Sequence, residues 1–213
     1  MNSDREYVWY VCYGSNLNRE RFMAYITGGP IPNTNIIERG CRTKSAPINE
    51  KNYILPYELY FAGESARWEN QGVAFIQNTK SQFKRTYGKR YQITIDQFID
   101  VVCQENNCTL EEFSMDKFND AIFSGECDLF PEKRYGKLIC IGYENSIPLI
   151  TFTTPQLSLP INKPSRNYIH MLALGISNAY SMSASELATY FLEINGIYNN
   201  YSLEELYSIC SLV

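Results

Sequence analysis

Residues Tyr7-Val-Trp-Tyr-Val-Cys-Tyr13 form a short run of β-branched and aromatic side chains that stops at Gly14-Ser15-Asn16. Such a run favours a strand, and the Gly-Ser-Asn triplet supplies the turn that ends it. Beyond the turn, Phe22, Met23 and Ile26 recur at helical spacing within the segment Leu17 to Ile26, and Gly28-Gly29-Pro30 closes it. The chain therefore opens as strand, glycine turn and helix.

Working outward, Tyr57-Glu-Leu-Tyr-Phe61 and Gly72-Val-Ala-Phe-Ile76 have the character of antiparallel strands, with Ser65–Gln71, which carries Trp68, as an exposed loop between them. Gly88-Lys-Arg-Tyr-Gln-Ile93 resumes the sheet. Thr94-Ile-Asp-Gln97 then has the spacing of a capping box, predicting a helix to about Glu105, and Thr109-Leu-Glu-Glu112 looks like a second cap. Leu138–Gly142 and Pro148–Phe152 read as strands around the turn residues Glu144-Asn-Ser146. The proline-punctuated connector Pro155–Pro164 is too short and too apolar for a flexible linker, so a packed crossing is expected. The sequence then turns helical, from Arg166 to about Ser177 and behind the capping boxes Ser183–Glu186 and Ser202–Glu205.

Most strand connections are too short for crossover helices, which predicts an α+β fold. The expected form is a small bent mixed sheet or barrel with flanking helices and a helical C-terminal extension. A length of 213 residues suits one domain over 1–213, with 165–213 as a packed helical part.

Nineteen Lys and Arg against twenty-three Asp and Glu give a formal charge of −4, with no dense basic stretch. A non-specific grip on nucleic acid needs concentrated positive charge, so no nucleic-acid partner is expected. No apolar run approaches the roughly 18 residues of a spanning helix, so no membrane partner is expected. The stretch MNSDREYVWY lacks the layout of a signal peptide, which predicts a cytoplasmic location. The seven cysteines are scattered and contain no C-x-x-C pair, as reduced thiols would be. His170 is the single histidine, which removes every multi-histidine metal site. Neither a metal nor a cofactor is expected, and chemistry falls to carboxylates, hydroxyls and backbone groups.

Two places fit that description. Successive N–H groups at Tyr13-Gly-Ser-Asn-Leu17, near a helix start, attract anions; the alternative is an ordinary turn in which Ser15 or Asn16 caps the helix. Glu105 continues the stripe of Ile95, Phe98 and Val102, so its carboxylate points inward, where burial favours the protonated acid; the alternative is a terminal glutamate bending to solvent. Cys12 reads as a buried thiol rather than a nucleophile, and His170 as structural or solvent-facing. Cys103 and Cys108 have no companion ligands. Trp68, Glu69 and Arg42 could border a pocket, with surface placement the default for each.

The motif Tyr13-Gly-Ser-Asn-Leu17, directly after a first strand, resembles the signature of the γ-glutamylcyclotransferase-like family. Gly88 leading to Gln104-Glu105 resembles that family's strand and helix ending in a Gln-Glu pair. Pro164-Ser165-x-x-Tyr168 with Gly175, and Gly72-Val-Ala, resemble two further elements. Leu55–Ala62 with Trp68 is similar to a bacterial branch that includes the enzyme removing a γ-glutamyl group in butirosin biosynthesis. Asn70-Gln71-Gly72 departs from the glycine run common in that branch.

The resemblance implies cofactor-free release of 5-oxoproline and an amine from a small-molecule γ-glutamyl amide. The substrate's α-amine attacks its own γ-carbonyl. Glu105 would be the general acid and base, the backbone of Tyr10, Val11, Cys12, Tyr13, Gly14, Ser15 and Asn16 would hold the glutamyl portion, and Tyr168 would contribute a hydroxyl. A homodimer is compatible with this. Alternatives are a hydrolase or deacylase using the same pocket, and a catalytically silent binder of a small carboxylate ligand.

Overall fold

The computed structural model describes residues 6–31 and 36–213. The first five residues of the stretch MNSDREYVWY therefore lie outside the described residues. In chain order the strands are β1 (Tyr7–Cys12), β2 (Gly29–Pro30), β3 (Ile37–Glu38), β4 (Asn49–Leu55), β5 (Tyr57–Ser65), β6 (Gln71–Lys80), β7 (Thr86–Thr94), β8 (Glu126–Asp128), β9 (Lys137–Glu144) and β10 (Ile147–Thr153). The α-helices are α1 (Arg19–Thr27), α2 (Ile95–Asn106), α3 (Met115–Ser124), α4 (Arg166–Tyr180), α5 (Ala184–Leu192) and α6 (Leu203–Cys210). The fold is α+β, as the alternation of short strands and capped helices predicts.

The main sheet is six-stranded in the order β4-β7-β1-β10-β9-β8. β1 runs antiparallel to β7 and parallel to β10, so the sheet is mixed. Its edges are β4 and β8, and the order is open, so the barrel alternative is not realised.

The described residues form two compact units. The first is drawn from Met1–Cys12, Glu20–Lys51 and Lys89–Leu157; the second from Tyr13–Arg19, Asn52–Gly88 and Ser158–Val213.

In the first unit, the register sets Tyr10 against Tyr91 on one side and Ile150 on the other. Side chains alternate across a strand, so Val8, Tyr10, Cys12, Tyr91, Ile93, Ile150 and Phe152 share one face. That face is the core, packed by Phe22, Tyr25 and Ile26 of α1, Phe98, Val101 and Val102 of α2, and Phe118 and Ile122 of α3. The Tyr10 ring meets Phe22 at 5.7 Å, Phe98 at 5.9 Å and Phe152 at 5.4 Å. Each fully buried side chain of this size contributes roughly 1.5–3 kcal/mol.

Helix α2 begins where the capping box predicts. Thr94 Oγ1 accepts from Gln97 N–H at 3.1 Å, and Gln97 Oε1 accepts from Thr94 N–H at 3.1 Å. Its end is also fixed: Asn107 adopts φ 47°, Cys108 N–H donates to the Cys103 carbonyl at 3.0 Å, and Asn107 N–H to the Gln104 carbonyl at 3.3 Å. These are the two bonds of a Schellman cap. Thr109–Glu112 forms its expected box but opens only a three-residue 3-10 turn; the following helix α3 is capped by Ser114 instead.

In the second unit, β5 and β6 pair antiparallel with Tyr60 opposite Phe75 and Phe61 opposite Ala74. The expected packed crossing lies on this hairpin: Gly63 N–H donates to Pro160 O at 3.0 Å, Asn162 N–H to Phe61 O at 3.1 Å, and Gly72 N–H to Lys163 O at 2.8 Å. A Cβ at Gly72 would lie 2.2 Å from Asn162 O, so this approach requires glycine. Helices α5 and α6 start at the predicted boxes, and α4 starts at Ser165, whose Oγ accepts from Tyr168 N–H at 3.2 Å. The expectation of an exposed loop at Ser65–Gln71 is corrected at Trp68, which is only 8% exposed. Residues Ala66–Trp68 form a 3-10 turn that carries the indole onto α4.

Candidate functional site

In the first unit, Glu105 stands at the end of α2, partly buried, between two anchored neighbours. Gln104 Nε2 donates to Tyr25 O at 3.1 Å, and its Oε1 accepts from Gly40 N–H at 3.2 Å. Asn106 Nδ2 donates to Tyr135 O at 3.1 Å, and its Oδ1 accepts from Tyr135 N–H at 3.0 Å. The backbone that presents Glu105 is therefore held from both sides.

The Glu105 charge reaches Cys12, the last residue of β1. Cys12 is 2% exposed, and burial pushes its thiol up to about 12, with Lys89 opposing and the Glu105 carboxylate adding to that rise. The Cys12 thiol also contacts the Lys89 carbonyl at 3.3 Å. A thiol this reluctant to ionise is no nucleophile at neutral pH, in line with its expected structural role.

Tyr10, Val11 and Cys12 are buried, and the Tyr10 ring is a core side chain. The strand stays paired with β7 as far as Cys12 opposite Lys89, whereas its parallel register with β10 runs from Trp9 to Tyr10. Any ligand contact made by these residues would fall to their backbone.

Arg42 is half-exposed and already engaged: its Nε donates to Asp100 Oδ1 at 3.0 Å and its backbone N–H to Asp100 Oδ2 at 2.8 Å. Lys89 escaped the sequence reading. It lies directly opposite Cys12 across the β1–β7 ladder, a juxtaposition set by strand register.

In the second unit, Tyr13, Gly14, Ser15 and Asn16 lead into a 3-10 turn over Ser15–Leu17. Leu17 N–H donates to Gly14 O at 3.0 Å and Asn18 N–H to Ser15 O at 3.1 Å. Gly14 has φ −106°, outside the left-handed region that favours glycine. Its special feature is proximity: a Cβ there would sit 3.4 Å from the Tyr168 hydroxyl and 3.9 Å from Ala74 Cβ.

Tyr168 is 2% exposed, wedged by Trp68 at 4.6 Å and by Phe61, edge-on, at 6.0 Å. Its hydroxyl oxygen accepts from Ala74 N–H at 3.3 Å. The loop bearing Trp68 is latched to α4 by Asn167 Nδ2, which donates to Glu69 Oε1 at 2.7 Å. Gly175 lets α4 approach the turn, since a Cβ there would lie 2.7 Å from Leu17 Cβ and 2.8 Å from Asn18 N. His170 is partly buried, two residues past Tyr168 on the same helix.

Among the described residues no group of three His, Cys, Asp or Glu side chains is placed to hold a metal ion, and no helix is long and apolar enough to cross a membrane. No family model matches the chain. Among curated proteins it is similar to histone deacetylase 5 of Arabidopsis thaliana, 29% identical over 197 residues, which are 86% of this chain and 30% of that protein's length. Similar solved structures include one described as a gamma-glutamyl cyclotransferase, 16% identical, with 98% of this chain and 100% of that chain covered and a TM-score of 0.45. Another is the crystal structure of an uncharacterized protein from Homo sapiens, 14% identical, with 96% and 99% covered and a TM-score of 0.50. What the chain shares with that structure is its fold.

Proposed function

We propose that the chain is a cofactor-free enzyme that releases 5-oxoproline and an amine from a γ-glutamyl amide. The observation that carries this reading is that α2, which presents the partly buried Glu105 in its last turn, packs on the face of β1 that ends in Cys12, the residue that directly precedes the Tyr13-Gly14-Ser15-Asn16 motif. The reading gives Glu105 the proton transfer and the backbone at Cys12 a share in holding the glutamyl group.

The reaction balances without any external nucleophile. Glu105 takes a proton from the substrate's α-ammonium group, freeing a lone pair. That nitrogen bonds to the γ-carbonyl carbon and closes a five-membered ring, and the bond from this carbon to the amide nitrogen breaks. The proton held on Glu105 passes to the departing nitrogen, and the second proton shed by the ring nitrogen follows by way of the regenerated carboxylate, so the amine leaves as its ammonium ion. The enzyme's task is to fold a flexible chain into a reactive pose, and such orientation is worth roughly 7–11 kcal/mol in the best intramolecular cases. Backbone N–H groups of Tyr10 to Asn16 would hold the glutamyl portion, and Tyr168 would contribute a hydroxyl.

The test is incubation of the purified protein with a panel of γ-glutamyl amides, with mass spectrometry of the products and Glu105→Gln as control. The expected product is 5-oxoproline in amounts equal to the released amine. Free glutamate would assign a hydrolase, and no product from any amide would leave the ligand-binding alternative standing.

A further inference from the structure

Lys89 is a charged group at the end of β1 to which the proposed reaction assigns no role. It is the cross-strand partner of Cys12, and the strand alternation sets it on the core face with Tyr91. The side chain is only 14% exposed, and its ammonium lies 5.3 Å from the centre of the buried Tyr91 ring. Its ion pair with Glu50 spans 3.5 Å, long beside the roughly 2.7–2.9 Å of a tight charge-assisted bond, and Glu50 is the more exposed of the two. An ammonium has three donors, so a sheltered cation with one long ion pair has capacity for another anion.

The position matters because of what a γ-glutamyl group carries. Its α-ammonium and α-carboxylate are bonded to one carbon, so a base that takes the ammonium proton works beside the carboxylate. Lys89 lies opposite Cys12 across the β1–β7 ladder, and α2, whose last turn carries Glu105, packs on the same face of the sheet, so a cation and a carboxylate belong to one side of the strand end. We infer that Lys89 receives the α-carboxylate of the substrate and makes the enzyme selective for glutamyl over decarboxylated acyl groups. This rests on the cyclotransferase reading and adds to it a residue that reads substrate identity.

The experiment compares a γ-glutamyl amide with the matching 4-aminobutyryl amide, which lacks the α-carboxylate but can still close a ring, to 2-pyrrolidinone. A hydrogen bond to a charged group is worth about 1.5–3 kcal/mol, so Lys89→Met should raise KM for the glutamyl amide on the order of 10- to 100-fold. It should leave kcat/KM for the 4-aminobutyryl amide unchanged, and Lys89→Arg should restore most of the preference. An equal loss on both substrates, or no change on either, would overturn the inference. NMR titration with 5-oxoproline and 2-pyrrolidinone separates this failure from that of the reaction itself. If the native protein forms no 5-oxoproline yet binds it only when Lys89 is present, the cyclotransferase reading falls and the carboxylate site stands. If it neither turns over nor binds, both fall.

Discussion

The end of β1 in the first unit and the start of α4 in the second present different chemistry. At the strand end, opposite charges, Lys89 and Glu105, attend a thiol that burial keeps neutral. At the helix start, an uncharged hydroxyl is clamped by rings, with Trp68 at 4.6 Å and Phe61 at 6.0 Å, and steadied by the Ala74 amide. Proton transfer needs groups that change charge, and recognition of a fixed polar group needs one that does not move. On the proposed function, proton movement belongs to the first region and positioning to the second.

The largest effect should come from Glu105→Gln, which keeps the shape and removes the proton carrier. Positioned acid and base catalysis is worth ~10²–10⁴-fold, so kcat should fall by that factor with the melting temperature held. Near-normal turnover would break the division of labour. Next is Gly14. The space beyond it is closed by the Tyr168 hydroxyl, so Gly14→Val should displace that hydroxyl or the ligand and cost on the order of 10²-fold in kcat/KM. Gly14→Ala should fold normally, because its Cβ makes only van der Waals contact and its φ is ordinary, and should lose less.

Trp68→Ala should destabilise the protein by about 3–5 kcal/mol in denaturant melts, as loss of a buried indole does, while Trp68→Phe retains most of the stability. Tyr168→Phe removes one hydrogen bond to Ala74 N–H, so about 1 kcal/mol in stability and a modest rise in KM are expected. The smallest effect on turnover belongs to Cys12→Ala, which should leave kcat intact because the thiol carries no step. It should instead show in alkaline unfolding. The Cys12 thiol is raised from 9.0 to about 12 in the folded chain, so its contribution to stability is complete below pH 9 and is lost as the pH climbs toward 12, where the unfolded chain ionises first. Cys12→Ala should flatten that part of the pH–stability curve.

Much of this was legible in the sequence wherever a local signal governs the structure. The boxes at Thr94, Ser183 and Ser202 mark helix starts because cap and helix lie within three residues of each other. The β-branched and aromatic run from Tyr7 marks a strand with a buried thiol at Cys12, and Val8 to Cys12 are all buried because β1 lies inside the sheet. What failed depends on distant partners. Trp68 looks like a loop residue until Tyr168, one hundred positions later, provides a ring to pack against. Gly14 reads only as a turn residue, whereas what crowds it is again Tyr168. Lys89 stays silent because only the register of β1 against β7 sets it opposite Cys12.

The central claim is that the substrate supplies its own nucleophile, and turnover of a γ-glutamyl amide in water enriched with oxygen-18 tests it most directly. Ring closure predicts 5-oxoproline with no label, because water takes no part in forming or breaking the bonds. Glutamate carrying one labelled oxygen in its γ-carboxylate would contradict the account.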